Sequence, residues 1–358
     1  MDFYMPVKVF NGEDVVKAQA AAWTALGTKA LIVTGKSSAV NGSKADVIAA
    51  LEAYQKEYVI FDETEENPSI EMVMKVRDMG IQEQVDFVIG VGGGSPMDAS
   101  KAIALMIYHK DKGAEYLYQT GSDEALPMVA VPTTCGTGAE VTPNAVLTIH
   151  AKRTKASMSH KIYPDYALID WKYLKSAGRT LLINTAVDAL GHLIESYVNT
   201  ARTEYSAMVC EHGMNIWSSI KNVLIGAEIT DEQYENLMLA STMAGMAIAQ
   251  TGTTLPHALS YYLTYEKHTH HGKAVGYFLP GYLQMADSRT RRKVLSLIGF
   301  PDMQYFTSFM HKLLGKMDVE EELIREAVCG VGANTAKLKS VPYEVTEEVL
   351  YKICEAAR

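Results

Sequence analysis

Cysteine is scarce in this chain: four residues in 358, Cys135, Cys210, Cys329 and Cys354, with no CxxC pair. That excludes a disulfide framework and a zinc-finger clip, and points to a reducing, cytoplasmic setting. Buried small apolar side chains are the expectation for all of them but Cys135. Positive charge is also in short supply. The 33 Lys and Arg against 42 Asp and Glu leave a net charge of -9 and a pI near 5.6. Such a surface repels phosphate backbones and anionic headgroups, so neither nucleic acid nor membrane is an expected partner. No apolar run is long enough to span a bilayer. The opening MDFYMPVKVF lacks the basic start and apolar stretch of a secretory signal. Internal repeats and low-complexity tracts are missing as well. What remains is a chain that is 48% hydrophobic, enough for a sizeable core and long enough for two domains.

In the first half, short β-branched runs recur at Ala30–Thr34, Tyr58–Phe61, Val85–Ile89 and Met128–Val131. Segments with helical spacing lie around them at Asp14–Leu26, Ser43–Tyr54, Ser69–Gln82 and Pro96–His109. Apolar strands alternating with amphipathic helices predict βαβ units and a parallel sheet covered on both faces. Ligands bind such sheets at the carboxyl ends of their strands, and the unusual residues fall there. After the third run comes Gly90-Val91-Gly92-Gly93-Gly94-Ser95-Pro96-Met97-Asp98. Glycines let a backbone approach a bulky anion, and a helix start with Ser95 as N-cap, Pro96 first and Asp98 third completes a pyrophosphate cradle. The GxGxxG fingerprint is absent, because Ser95 takes the place of its last glycine, and a well-capped tight turn would read the same way. After the fourth run, PTTCGTGAEVT again sets hydroxyls and glycines at a strand end. Thr34-Gly35-Lys36-Ser37-Ser38 contains the GKS of a Walker loop, but Ala30 stands where its leading glycine is required, so a P-loop is excluded.

From about Thr180 strand-like runs disappear, and the division falls near Ala177–Arg179. Asp188 and His192 are four apart on one helix face. An ordinary hydrogen-bonded pair would have that spacing; so would two ligands of one metal ion. His257 sits on a second helical segment within the His-rich stretch Gly252–Gly272, and His271 follows it. One carboxylate and three imidazoles suit iron(II) or zinc. His268 and His270 compete for the last position; His271 is preferred because Gly272 would give the backbone freedom to present it. Glu195 reads as solvated or as a partner behind a ligand. Met208, Met214, Met238, Met243 and Met246 read as core filler, and the charged stretch at Glu320–Glu326 as an exposed helix face. Tyr262, Leu263, Leu259 and Val146 suggest an apolar pocket for a short unbranched alcohol.

The motifs GGGSPMDASKA, PTTCGTGAEVTPNAVLT, DALGHLIESY and HALSYYLT…HHGKAVG together resemble the iron-containing (group III) alcohol dehydrogenase family, from the FYMPVKVFNGE opening to the HHGKAVGYFLP segment. The resemblance implies an α/β, Rossmann-like dinucleotide-binding domain over residues 1–178. An all-α metal-binding domain over 179–358 and a cleft between the two follow from the same likeness, an architecture shared with dehydroquinate synthase. It implies NAD(P)-linked interconversion of an alcohol and an aldehyde or ketone at bound Fe2+. The expectation for the whole is a cytoplasmic homodimer acting on short primary alcohols and aldehydes, with Zn2+ able to replace Fe2+. Its metal ligands fall on Asp188, His192, His257 and His271. Its diphosphate loop falls on Gly92, Gly93, Gly94 and Ser95, with Asp98 beside it. Thr133, Thr134 and Thr137 match residues near the cofactor's phosphates and adenine, Lys155 a lysine near the nicotinamide ribose, and Asn67 another cofactor-proximal position.

Two departures stand out. Where some members carry a proton-transferring histidine, this chain has Tyr261, so tyrosine, water or the ribose hydroxyl would relay the proton. Where NAD-preferring members carry an acid after the first strand, it has Gly35, followed by Lys36, Ser37 and Ser38. With no carboxylate against a 2′-phosphate and a lysine to attract it, the expectation is a preference for NADP(H) over NAD(H). A metal- and NAD-dependent cyclase or lyase of the dehydroquinate synthase type is the alternative, ranked lower because few Lys or Arg lie near the ligand candidates. A nucleotide-binding scaffold without catalysis is a third reading, and a full four-ligand set argues against it.

Overall fold

The computed structural model describes residues 2–152, 154–226 and 228–356. The chain divides into two compact units. One runs from Met5 to Thr134 and from Gly138 to Ala177. The other holds the segment ending at Tyr4, Cys135–Thr137, and everything from Gly178 onward. The segment ending at Tyr4 and Cys135–Thr137 thus pack with the helices, although a single division at residue 178 would put them with the sheet.

The first unit is an α/β layer structure. Its strands are β1 (Lys8–Asn11), β2 (Lys29–Thr34), β3 (Glu57–Phe61), β4 (Phe87–Gly92), β5 (Met128–Pro132) and β8 (Tyr166–Ile169), in the order β1-β8-β5-β4-β2-β3. Every pairing in this sheet is parallel, and one row runs Ile32, Ile89, Val129, Tyr166. A separate antiparallel hairpin pairs β6 (Val146–Ile149) with β7 (Thr154–Ser157). The connecting helices are α1 (Val15–Ala18), α2 (Ala20–Trp23), α3 (Ser37–Asn41), α4 (Ser43–Ala53), α5 (Ile70–Gln82) and α6 (Gly94–Tyr108). Side-chain alternation sorts the core into two layers. Ile32, Ile89 and Val129 face Trp23, Val47 and Leu51. Leu31, Val33 and Val88 face Val73, Val76 and Ile103. Both faces are covered, as the alternation of runs predicted.

The order in which strands are added reverses beside β2: the next strand, β3, lies on one side of it and the one after, β4, on the other. The carboxyl ends of β2 and β4 therefore flank a topological switch point, where open parallel sheets bind ligands. The Thr34 hydroxyl donates to the Val91 carbonyl at 2.7 Å and ties the two ends together.

The second unit is all helix among the described residues: α7 (Arg179–Val198), α8 (Glu204–Ile220), α9 (Asp231–Thr251), α10 (Leu255–Glu266), α11 (His271–Met285), α12 (Ser288–Leu297), α13 (Met303–Leu314), α14 (Glu321–Gly332), α15 (Thr335–Leu338) and α16 (Glu347–Glu355). Helix α7 is central, with everything from Ala186 to Val198 buried. Helices α7 and α11 come together through glycines. A Cβ on Gly191 would meet Val275 Cγ1 at 2.7 Å, one on Gly276 would meet Val187 Cγ1 at 2.5 Å, and one on Gly272 would fall 1.8 Å from the Asn184 carbonyl oxygen.

Candidate metal centre and dinucleotide loop

Asp188 and His192 project from one face of α7, as four-residue spacing dictates. His257 comes from the first turn of α10, after the turn at Gly252 and with Pro256 setting the helix start. Ligand atoms of Asp188, His192 and His257 all lie within 4.8 Å of one another, and all three residues are buried. His257 Nε2 is 3.5 Å from Asp188 Oδ1, and His271 Nε2 is 3.7 Å from the same oxygen. The His192 and His257 rings stack at 4.5 Å, and His271 meets His257 edge-on at 5.2 Å. His257 and His271 thus approach the same Asp188 oxygen, while His192 joins Asp188 and His257 in one cluster. His271 is the most open of them, its side chain 39% exposed. His268 and His270 are exposed; His270 only caps α11.

The reason offered for His271 does not hold. Gly272 lies inside the first turn of α11, and what it supplies is the absence of a side chain against α7. Close helix packing, rather than backbone freedom, places His271 beside Asp188.

Within this cluster, Asp188 Oδ1 and His257 Nε2 are buried and make no hydrogen bond. They face each other at 3.5 Å as an ion pair too long for a hydrogen bond, and a cation held between them would satisfy both. Burial works against ionised Asp188, yet the charges of His192, His271 and His257 outweigh it and hold the carboxyl well below its usual range. Burial pushes the His192 imidazole down, only partly offset by Asp188. Burial also disfavours charged His257, but Glu195 and Asp188 prevail and raise it to about 9. An anionic oxygen and imidazole nitrogens, dry and convergent, are the donor set of a divalent cation such as iron(II) or zinc. The residues fit that group.

Behind the ligand atoms stand groups that sequence reading did not resolve. Glu195 is fully buried, not solvated, with Oε1 at 2.5 Å from His257 Nδ1. His192 Nδ1 lies 3.2 Å from the Gly136 carbonyl oxygen. The periodicity held a signal for Glu195, since positions 188, 192 and 195 share a helix face. Gly136 acts through its backbone and left none. Tyr261 is 38% exposed and stacks on His271 at 6.0 Å and 11°. The four residues expected to line an apolar pocket fall in different settings. Leu259 and Leu263 are fully buried, the Tyr262 hydroxyl packs against Gly330 of α14, and Val146 lies on the β6–β7 hairpin of the sheet unit.

In the sheet unit, the glycine turn follows β4 as expected, with one correction. The N-cap of α6 is Gly93, without a side-chain cap, and Gly94 opens the helix. Ser95 is therefore within the first turn, its Oγ accepting from the Asn67 N–H at 3.1 Å. Asp98 caps nothing on its own helix; its Oδ2 accepts from Val146 N–H at 2.9 Å and ties the hairpin to α6. Burial raises the Asp98 carboxyl to about 6 despite Lys101 nearby. Bare N–H groups at a glycine-lined helix start suit a phosphate. Gly92 has φ +146, and a Cβ there would strike Pro96 at 2.7 Å, so glycine is required. Gly93 packs on Thr134, and Thr133 N–H donates to the Gly92 carbonyl at 2.8 Å. Thr137 belongs to the helical unit, Thr133 and Thr134 to the sheet unit. Lys155 Nζ donates to Asn67 Oδ1 at 2.8 Å, joining two cofactor candidates. Gly35, Lys36 and Ser37 open α3, and Lys36 lines a cavity of about 440 Å³ with Glu63, Thr64 and Glu65.

A parallel-sheet unit with a glycine turn after β4 and a helical unit with a carboxylate–imidazole cluster mark a class, the alcohol dehydrogenases of two-unit build. The chain belongs to the iron-containing alcohol dehydrogenase family: residues 6–171 match the family's "iron-containing alcohol dehydrogenase" model, and residues 182–300 match its C-terminal model. It is 30% identical over 265 residues to the NAD-dependent methanol dehydrogenase of Bacillus methanolicus, covering 73% of this chain and 69% of that protein. It is 32% identical over 258 residues to the lactaldehyde reductase of Escherichia coli K12, covering 70% of this chain and 66% of that one. The matched stretches thus span about two thirds of those relatives. The crystal structure of an iron-containing alcohol dehydrogenase from Thermotoga maritima is 38% identical, with 99% of each chain covered and a TM-score of 0.91. The cyclase or lyase alternative is not favoured by these likenesses. No helix among the described residues is long and apolar enough to cross a membrane.

Proposed function

We propose that the protein is an alcohol dehydrogenase or aldehyde reductase that depends on a divalent cation and prefers NADP(H), acting on short primary alcohols and aldehydes. One observation carries the reading: Asp188 Oδ1 and His257 Nε2 are buried, make no hydrogen bond and face each other at 3.5 Å. In this proposal Asp188, His192, His257 and His271 hold the cation, Fe2+ by family with Zn2+ able to replace it. The bound cation would polarise the substrate oxygen, and the nicotinamide would exchange hydride with the substrate carbon.

The chain's own residues do the rest. Asp188 presents fixed negative charge that the surrounding imidazoles keep ionised. Gly92, Gly93, Gly94 and Ser95 offer backbone N–H groups to the diphosphate. Thr133 and Thr134 border that turn, while Asn67 and Lys155, hydrogen-bonded to each other, flank Ser95. In this reading Thr137 and Asp98 complete the cofactor set. In this reading Tyr261, which stacks on His271 and is partly exposed, would pass a proton outward. The sheet unit serves as the dinucleotide domain and the helical unit as the cation and substrate domain.

The NADP(H) preference rests on Gly35, Lys36 and Ser37, where no side-chain acid follows β2. Glu63 and Glu65 border the same cavity and oppose the lysine's attraction, though Glu65 is engaged in accepting from Ser69 N–H at 3.2 Å. The reading includes a homodimer, and exposed Tyr4, Tyr205 and Met208 give a second copy apolar surface to cover. Metal analysis of anaerobically purified protein, followed by NADPH and NADH oxidation against a series of short aldehydes, tests the proposal. Turnover by protein free of metal would overturn the cation, and a clear NADH preference would overturn the cofactor choice.

A further inference from the structure

We propose that Glu195 is the positioning residue of the cation centre: it fixes which nitrogen of His257 faces Asp188. The inference rests on the cation reading above and deepens it.

The geometry is two-ended. Glu195 Oε1 sits 2.5 Å from His257 Nδ1. Its other oxygen, Oε2, accepts from the Thr254 N–H at 2.5 Å and the Thr254 hydroxyl at 3.0 Å. Thr254 is the N-cap of α10, yet its side chain makes no capping bond; its hydroxyl is committed to Glu195. The carboxylate is therefore clamped at one end by the start of the helix that carries His257, and its free end meets the ring three residues further on. An ionised carboxylate can only accept. Nδ1 must then carry a proton, so the nitrogen left to give up its own proton to an incoming cation is Nε2, 3.5 Å from Asp188 Oδ1. His192 has a weaker arrangement, with only the neutral Gly136 carbonyl behind its Nδ1 at 3.2 Å.

Glutamine cannot substitute. Its amide has one acceptor end and one donor end. If the oxygen serves Thr254, the NH2 faces His257 and forces the proton onto Nε2, which then cannot bind a cation. If the oxygen serves His257, the NH2 is pressed against the Thr254 N–H. A carboxylate or carbonyl behind a ligating histidine typically governs cation affinity by about 10–100-fold.

The test compares Co2+ affinity, by competition with a coloured chelator, in wild type, Glu195→Gln and Asp188→Ala. Melting of each protein without metal checks the fold. Glu195→Gln should bind Co2+ about 10–100-fold more weakly, with an altered visible spectrum. Because the variant could fold poorly, histidine 15N spectra of Zn2+-loaded wild type supply a second readout, in which His257 should carry its proton on Nδ1. Equal Co2+ affinity and spectrum in wild type and Glu195→Gln, or coordination through Nδ1, overturn the positioning role and leave the cation reading standing. Wild type that binds Co2+ no better than Asp188→Ala overturns the cation reading, and the positioning role with it.

Discussion

Replacing Gly272 by alanine puts the helix packing behind the metal centre to the test. The new Cβ would start 1.8 Å from the Asn184 carbonyl oxygen and 3.0 Å from Asp188 Cβ. The first obstacle is backbone on a buried helix, so no side chain can swing away. Raising 1.8 Å to the roughly 3.0 Å below which such contacts are not seen requires α11 and α7 to part by about 1.2 Å. Forced overpacking of this kind costs about 1–3 kcal/mol, which lowers the melting temperature by about 1–4 °C in a protein of this size. The shift also carries His271 away from Asp188, now 3.7 Å from its Nε2. A displacement near 1 Å at a reacting centre costs on the order of 10²-fold in rate. Differential scanning calorimetry without metal reads the first effect, and Fe2+ affinity with kcat/KM reads the second. If Gly272→Ala melts like wild type and binds Fe2+ equally well, the argument that close packing presents His271 is wrong.

Three further perturbations probe the proposed chemistry. His257→Ala should lose cation and turnover together, with a larger fall in affinity than the ~10–100-fold expected behind the ligands; full turnover without metal would contradict the scheme. Tyr261→Phe should lower kcat by about 10²–10⁴ if the phenol transfers the proton, and an unchanged pH profile would transfer that role to water or the ribose hydroxyl. Lys36→Ala should reduce kcat/KM for NADPH several-fold and leave NADH untouched, since an exposed charge contact is worth about 1 kcal/mol or less; an equal loss with both would refute recognition of a 2′-phosphate.

The buried strands were legible because an all-parallel sheet turns them into continuous apolar runs. The third, expected at Val85–Ile89, is observed at Phe87–Gly92, since the glycines continue extended after the apolar residues stop. Strands β1, β8 and the β6–β7 hairpin passed unseen, being four residues each. The helix expected at Asp14–Leu26 is broken at Gln19. There the Trp23 indole takes the Val16 carbonyl at 2.8 Å, an acceptor the helical ladder would have used. In the metal centre, side chains on helical spacing were readable from residue type alone. The Gly136 carbonyl and the commitment of Thr254 to Glu195 depend on backbone path, which no spacing rule reaches.

The membership of the helical unit bears on how this gene can be cut. Its own stretch begins at Gly178, but Cys135–Thr137 and the segment ending at Tyr4 belong to it too. Tyr4 is fastened by a reciprocal pair of bonds with Gln250, at 3.0 and 2.9 Å. A fragment expressed from residue 178 would carry all four histidine and aspartate side chains yet lack the carbonyl behind His192. The metal centre is thus no transplantable cassette; recombination or truncation at the interdomain joint would sever it from a loop encoded more than forty codons upstream.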